Sequence, residues 1–151
     1  MEDYIDYSGQ NVENVIDIYV DGSYKNGIYS YAFIIVNLNK DIIYKESGVE
    51  RNKYSSKMHS TAGEIVAVIK AINYCIKKNY KAIIHFDYDG IASIFNNECK
   101  INKELFKNYR KFMLENKDIV HGLIKIKSHN NNYFNDYVHN MAAEAFNLMD
   151  K

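Results

Sequence analysis

Hydrophobic and polar residues alternate along the first third of the chain in the manner of β-strands. Residues 15–21, "VIDIYVD", alternate and are rich in β-branched and aromatic side chains, and residues 29–38 and 42–48 repeat this character. Turn-forming "YKNG" and "NLNK" separate the three stretches. The pattern therefore predicts three strands with short connections, which is typical of an antiparallel meander.

The hydrophobic period changes to that of a helix in the middle of the chain. Between Glu64 and Lys78, apolar residues recur at steps of three and four, as on one face of an amphipathic helix: Ile65, Val68, Ile69, Ile72 and Ile76. Residues 81–87, "KAIIHFD", form a nearly continuous apolar run, typical of a parallel strand buried on both faces. We predict that a short helix near 91–95, a helix over 103–115 and the strand "LIKIK" follow.

A last amphipathic helix completes the predicted elements, with an apolar stripe of Phe134, Val138, Met141, Ala142, Ala145 and Met149. The order βββαβαβα predicts an α/β fold in which helices flank a mixed five-stranded sheet, three strands antiparallel and two parallel. The 151 residues suffice for one hydrophobic core. We therefore expect one domain over residues 15–151, preceded by an N-terminal extension, residues 1–14, that can be flexible.

Composition and charge limit the kinds of partner that the protein is expected to bind. Lysine and arginine number 19, as do aspartate and glutamate, so no general basic field predicts nucleic-acid binding, and any such binding has to be local. Cys75 and Cys99 have no metal-ligand spacing, and the start "MEDYIDYSGQ" is too polar for a signal peptide. We expect a reducing, cytoplasmic setting. No apolar run approaches the roughly 20 residues that span a bilayer, so we expect no membrane association.

Two aspartates follow predicted strands. Asp21 comes at the end of "YVD" and Asp87 at the end of "HFD", and ligand sites of open α/β sheets gather at the carboxyl ends of strands. Each acid also has a purely structural interpretation, since Asp-Gly pairs form turns and an Asp after a strand often caps a helix. Glu64 ends "TAGE", which matches a capping box.

Four motifs taken together favour the functional interpretation of these acids. "YVDGSY", "STAGEIVAVIKAI", "IIHFDYDGI" and "IKIKSHNNNYFNDYVHNMAAEA" occur in this order between Val15 and Phe146. In this combination the chain resembles the type I ribonuclease H family, most closely its short bacterial and viral members with a "DYDG" segment. The resemblance implies a ribonuclease H-like fold. It also implies an endonuclease that hydrolyses the RNA strand of RNA/DNA hybrids, leaving 5′-phosphate and 3′-hydroxyl ends, with two Mg²⁺ or Mn²⁺ ions.

The resemblance assigns roles residue by residue. Asp21 would bridge both ions, Glu64 and Asp87 would hold one of them, and His129 would assist proton transfer or product release. Asp89 has no counterpart in the family, so we expect it to cap the short helix. The remaining candidates are expected to contact substrate: Gly22, Ser23, Ser60, Thr61 and Asn135.

Position 139 departs from the family pattern. Family members place a fourth carboxylate ten residues after the loop histidine, and here that residue is His139. We expect His139 to be the fourth metal ligand, with Asp136 turning in, or no protein ligand, as the alternatives. Because a neutral imidazole binds Mn²⁺ better than Mg²⁺, this ligand predicts a preference for Mn²⁺.

Two other functions remain open from the sequence. One is a hybrid-binding or protein-binding domain with impaired metal sites. The other is a nuclease of the wider ribonuclease H-like superfamily with a different substrate, such as branched or single-stranded DNA. The sequence indicates no obligate protein partner.

Overall fold

The computed structural model of the chain describes residues 4–5, 14–51, 59–98, 103–126 and 132–148. These residues form a single mixed sheet with helices on both faces. The elements in chain order are β1 (Tyr4–Ile5), β2 (Val15–Lys25), β3 (Ile28–Val36), β4 (Ile42–Arg51), α1 (His59–Lys78), β5 (Lys81–Phe86), α2 (Gly90–Phe95), α3 (Glu104–Glu115), β6 (Val120–Lys125) and α4 (Tyr133–Leu148).

The sheet has the strand order β1-β6-β5-β2-β3-β4. Strands β2, β3 and β4 form an antiparallel meander, and β5 and β6 run parallel to β2. This confirms the predicted arrangement of three antiparallel and two parallel strands. The sixth strand, β1, lies within the predicted N-terminal extension and pairs antiparallel with β6 through Tyr4 and Leu123.

The first long strand extends beyond its predicted end. β2 continues from Asp21 through Gly22 and Ser23 to Lys25, so the Asp-Gly pair is not the turn. The chain reverses at Asn26 and Gly27, whose φ angles of 52° and 81° suit a two-residue hairpin connection. Asp21 therefore lies inside a paired strand, opposite Ala32 of β3, rather than at a strand end.

Helices α1, α2 and α3 pack on one face of the sheet. The predicted stripe of α1 is largely confirmed, since Ile65, Val68 and Ile72 are fully buried. Ile76 is 45% exposed, and Cys75 is buried in its place because the buried face turns with the helix.

Among the described residues, α4 is the helix that packs on the opposite face of the sheet. Val138, Ala142 and Ala145 of its predicted stripe are buried, whereas Met149 lies outside the described residues. Asn132 caps this helix, because its side-chain oxygen accepts a 3.0 Å hydrogen bond from the backbone N–H of Asn135. The cap fixes where α4 begins and hence where His139 lies.

None of the helices in the described ranges is both long enough and apolar enough to cross a membrane.

Candidate active site

The parallel register of β2 and β5 brings two of the predicted acids together. Tyr19 of β2 pairs with His85 of β5. Asp21 and Asp87 each follow two residues later, so they come to neighbouring positions at the carboxyl end of β5. Asp21 is mostly buried, with 18% of its side chain exposed, whereas 63% of the Asp87 side chain is exposed.

Asp21 is held by two hydrogen bonds. Its Oδ1 accepts from the backbone N–H of Gly22 at 2.8 Å, and its Oδ2 lies 2.8 Å from Nδ1 of His139. Burial raises the pKa of Asp21, and the charge of Asp87 raises it further, while the Gly22 and His139 hydrogen bonds oppose this rise. Asp21 is thus a carboxylate kept partly out of water beside another acid.

Glu64 contributes the third acid from inside helix α1. Because α1 begins at His59, Glu64 lies in its second turn, and the capping-box interpretation of "TAGE" is wrong. Its Oε2 accepts a 2.6 Å hydrogen bond from the backbone N–H of Tyr88, and only 3% of the residue is exposed. Burial, followed by repulsion from Asp21 and Asp87, raises the pKa of Glu64 to about 8. All three predicted acids therefore interact electrostatically.

Gly63 makes this arrangement possible, and the sequence reasoning missed it. A Cβ at this position would overlap the backbone carbonyl oxygen of Ser30 and lie 3.0 Å from Cα of Gly22. Only glycine lets α1 approach β2 and β3 this closely. The signal in the sequence was a glycine inside an amphipathic helix, which has an energetic cost unless close packing requires it.

Lys125, at the end of β6, is a second residue that the sequence reasoning missed. Its Nζ lies 3.2 Å from Oδ1 of Asp89 and 3.6 Å from Oδ1 of Asp87, and it donates a hydrogen bond to the carbonyl oxygen of Asp87. Asp89 occupies the N-cap position of α2 as predicted, but its side chain makes no capping hydrogen bond. Instead it pairs with Lys125. Because β5 and β6 are parallel neighbours, a lysine at the end of β6 has to lie near the acids that follow β5.

A second histidine–aspartate pair lies on the α4 face of the sheet. Nε2 of His85 is 2.8 Å from Oδ1 of Asp17, and the His85 ring stacks on Tyr19 at 4.2 Å between ring centroids. Tyr19 in turn packs against Phe134 in the first turn of α4, at 5.2 Å. These rings support the start of α4 and so help to hold His139 beside Asp21.

The structure describes some of the other predicted site residues and not others. Gly22 and Ser23 continue β2 directly after Asp21, and Thr61 lies in the first turn of α1. Asn135 lies in the first turn of α4. His129 and the side chain of Ser60 lie outside the described residues.

The three acids are of the residue type that a divalent metal requires. Asp21, Glu64 and Asp87 supply the hard oxygen ligands that Mg²⁺ prefers, and a cation among them would relieve the repulsion that adds to burial in raising the pKa of Glu64. Within the described residues, however, no three His, Cys, Asp or Glu side chains are grouped closely enough to hold a metal ion. The acids are oriented instead toward Tyr88, His139 and Lys125. The residue types fit a divalent metal, and binding one requires these side chains to reorient.

Comparison with known proteins identifies the architecture. No family model and no curated protein matches the sequence. Among solved structures, ribonuclease H1 from Halobacterium salinarum superposes with a TM-score of 0.69 and 14% identity, covering 88% of this chain and 98% of that one. The compost-derived LC11 ribonuclease H1, solved in complex with an RNA/DNA hybrid, gives 0.70 and 14%, covering 90% and 99%. The N-terminal ribonuclease H domain of a Mycobacterium tuberculosis protein gives 0.70 and 12%, covering 90% and 96%.

The chain has the ribonuclease H-like fold. The predicted fold class is thereby confirmed over nearly the whole chain. In this ribonuclease H-like domain, Asp21 comes from β2, Glu64 from α1, and Asp87 from the position directly after β5.

Proposed function

We propose that this ribonuclease H-like domain is a metal-dependent endonuclease that cleaves the RNA strand of RNA/DNA hybrids and leaves 5′-phosphate and 3′-hydroxyl ends. The observation that carries the proposal is the convergence of Asp21, Glu64 and Asp87 from three separate elements. Clustered carboxylates repel one another, so a fold that places them together sacrifices stability. A cation-dependent function accounts for that sacrifice.

The proposed cofactor is Mg²⁺ or Mn²⁺, held by Asp21, Glu64 and Asp87 with His139 as the proposed fourth ligand. Such ions supply charge neutralisation at the scissile phosphate and acidify a water molecule. Two residues of this chain, Glu64 and His139, prepare the site for such ions. Glu64 is buried and holds a proton near neutral pH, which an approaching cation would displace. The His139 contact orients one oxygen of Asp21.

Substrate contacts are proposed for the surface next to the acids. Gly22 and Ser23 directly follow Asp21, and Thr61 precedes Glu64 by three residues on α1. We assign to these residues, with Ser60 and Asn135, the recognition of the RNA strand, which requires contacts to 2′-hydroxyls across the minor groove. His129 is assigned proton transfer or product release.

A comparison of substrates tests the proposal. An RNA/DNA hybrid, a duplex RNA and a duplex DNA of one sequence, each labelled on one strand, would be incubated with the protein and Mg²⁺ or Mn²⁺. The proposal expects cleavage of the hybrid in its RNA strand alone. Preferential cleavage of duplex DNA would instead support the alternative of a superfamily nuclease with another substrate.

A second candidate function is favoured by two contacts in the site. Lys125 lies beside Asp87, and His139 contacts Asp21, so two of the three acids already have basic partners within the protein. A domain that binds hybrids without cleaving them would keep these contacts. Retained hybrid binding with no cleavage in either Mg²⁺ or Mn²⁺ would support this second candidate.

A further inference from the structure

A buried serine lies between the two helices that carry candidate site residues. Leaving the tyrosines and Cys75 aside, Ser30 and Glu64 are the two buried polar residues in the part of the chain that the structure describes. Glu64 is one of the three acids. Ser30 lies in β3, where every other residue of Ile28–Val36 is apolar or aromatic. A buried hydroxyl is costly unless it is hydrogen-bonded, so the partner of Ser30 indicates its role.

The partner of Ser30 is the backbone of α4. The Ser30 hydroxyl donates a 2.6 Å hydrogen bond to the carbonyl oxygen of Ala142, and both residues are fully buried. Ala142 follows His139 by three residues, so both lie on the face of α4 that meets the sheet. Ser30 pairs with Ser23, two residues beyond Asp21 along β2. The contacts of His139 and of Ala142 therefore attach α4 to the sheet about one helical turn apart.

The backbone of Ser30 contacts α1 on the other face of the sheet. Its carbonyl oxygen is the atom that a Cβ at Gly63 would overlap. Because Glu64 is the next residue of α1, this close approach sets how far Glu64 lies from the sheet. Ser30 thus contacts the helix of Glu64 through its carbonyl group and the helix of His139 through its hydroxyl group.

The Ser30 hydrogen bond differs from the His139 contact in its exposure to water. The His139 side chain is 69% exposed, whereas Ser30 and Ala142 are fully buried. A buried hydrogen bond is stronger than one with which water competes. It therefore holds α4 in place when His139 turns away from Asp21. Without it, a slip of α4 by one residue would move His139 by about 1.5 Å along the helix axis and about 100° around it.

We propose that Ser30 is a positioning residue, whose hydroxyl holds α4 so that His139 stays within reach of Asp21 when it turns toward a metal ion. The inference rests on the proposed function, because it concerns the placement of the proposed fourth ligand. Since Ser30 is fully buried, it acts through His139 and does not touch the substrate itself.

The placement of His139 can be measured without metal or substrate. In EDTA near pH 8, nitrogen-15 NMR signals of the imidazoles report which ring nitrogen carries the proton, and His139→Ala identifies the signals of His139. In wild type they should be those of an imidazole protonated at Nδ1. In Ser30→Ala they should move toward the average of the two tautomers. The signals of His85, which contacts Asp17, are the internal reference and should not move.

Two further variants separate the hydrogen bond from side-chain volume and from general effects on α4. Ser30→Cys fills a similar space but offers only a weak S–H donor, so it should move the His139 signals as Ser30→Ala does. It also serves as the test variant if Ser30→Ala does not fold. Tyr137→Phe is the matched control, because it removes a hydroxyl from the exposed side of α4, where Lys45 donates to it at 2.9 Å. This control should leave the His139 signals unchanged.

A double-mutant cycle connects the placement of His139 to cleavage. Single-turnover rates on a labelled hybrid in Mn²⁺ would be measured for Ser30→Ala in the wild-type and His139→Ala backgrounds, well below the melting temperature of each protein. Ser30→Ala should lower the rate at least about fivefold in the wild-type background and less than about twofold where His139 is absent. A purely structural role of Ser30 would give the same loss in both backgrounds.

His139 signals that stay in place in a folded Ser30→Ala or Ser30→Cys protein would overturn the inference, as would an equal loss of rate in both backgrounds. Cleavage that depends on Asp21 but not on Ser30 would also overturn it and would leave the nuclease proposal intact. His139 signals that move, in a wild-type protein that cleaves nothing in Mg²⁺ or Mn²⁺, would support the placement of His139 by Ser30 while refuting the nuclease proposal.

Discussion

Nδ1 of His139 lies 2.8 Å from Oδ2 of Asp21. His139, which stands where a fourth carboxylate was expected, therefore contacts the first predicted carboxylate of the site. A carboxylate can only accept, so Nδ1 carries the proton of this hydrogen bond. The two nitrogens of an imidazole point to opposite sides of the ring, so while the contact lasts Nε2 points away from Asp21, and His139 has to turn before it can share a metal ion with Asp21. The imidazole side chain is 69% exposed, so Nε2 can reach a ligand from solvent.

The His139 contact leads to a prediction about metal preference. If His139 turns to become the fourth ligand, His139→Ala should lower the Mn²⁺-supported cleavage rate, because one donor is lost. His139→Asp should raise the Mg²⁺-supported rate, because Mg²⁺ prefers an oxygen donor with negative charge. Initial rates on a labelled hybrid with each metal measure both effects. An unchanged or higher Mn²⁺ rate in His139→Ala would show that His139 is not a ligand.

Asp87 and Asp89 should differ in effect although both contact Lys125. Asp87→Asn should reduce cleavage by at least about a hundredfold, the rate equivalent of losing several kcal/mol of metal-assisted stabilisation. Asp89→Asn should leave cleavage nearly intact. It should lower the free energy of unfolding by at most about 1 kcal/mol, because the ion pair of Asp89 with Lys125 is largely exposed. Steady-state rates and urea unfolding measure these changes. Similar losses of rate in both variants would refute the assignment of Asp87 over Asp89.

Gly63→Ala should destabilise the protein although alanine favours helices. The new methyl group would overlap the carbonyl of Ser30, and overpacking of this kind costs about 1–3 kcal/mol. The urea midpoint should therefore fall. Asn73→Ala, at an exposed position of the same helix, is the control and should leave the midpoint unchanged or raise it. A Gly63→Ala protein as stable as wild type would mean that α1 does not need this close approach.

The sequence predicts the fold better than it predicts the site because periodicity reports burial and not distance. The three- and four-residue steps of α1 and the apolar run of β5 follow directly from which side chains face the core. The paired strand that continues through Gly22 could not be foreseen, because its hydrogen bonds depend on β3 rather than on Gly22 itself. The contact of Lys125 with Asp87 joins residues 38 positions apart, so it follows from the parallel pairing of β5 and β6 and not from the local sequence.

Glu64 should make the metal-free protein less stable as the pH rises. Its pKa is about 8 in the folded state against 4.5 ordinarily, so between these values the folded state binds more protons than the unfolded chain. Stability from this group is present below pH 4.5 and is lost as the pH rises toward 8. In EDTA, the melting temperature of wild type relative to Glu64→Gln should therefore fall from pH 5 to pH 8.

The control for the pH experiment is Glu144→Gln, at an exposed position of α4. Relative to this variant, wild type should show no comparable trend with pH. A wild-type melting temperature that runs parallel to that of Glu64→Gln across this range would contradict a raised pKa for Glu64.

Single-turnover cleavage of a hybrid labelled in its RNA strand, by wild type and Asp21→Asn in Mn²⁺, tests the central claim most directly. If Asp21 holds the proposed metal ions, a neutral amide cannot replace its carboxylate, so the variant should retain less than about one per cent of the wild-type rate. Circular dichroism would establish that the variant is folded, and anisotropy in EDTA that it still binds the hybrid. Cleavage by a folded Asp21→Asn protein at more than a few per cent of the wild-type rate would contradict the proposed active site.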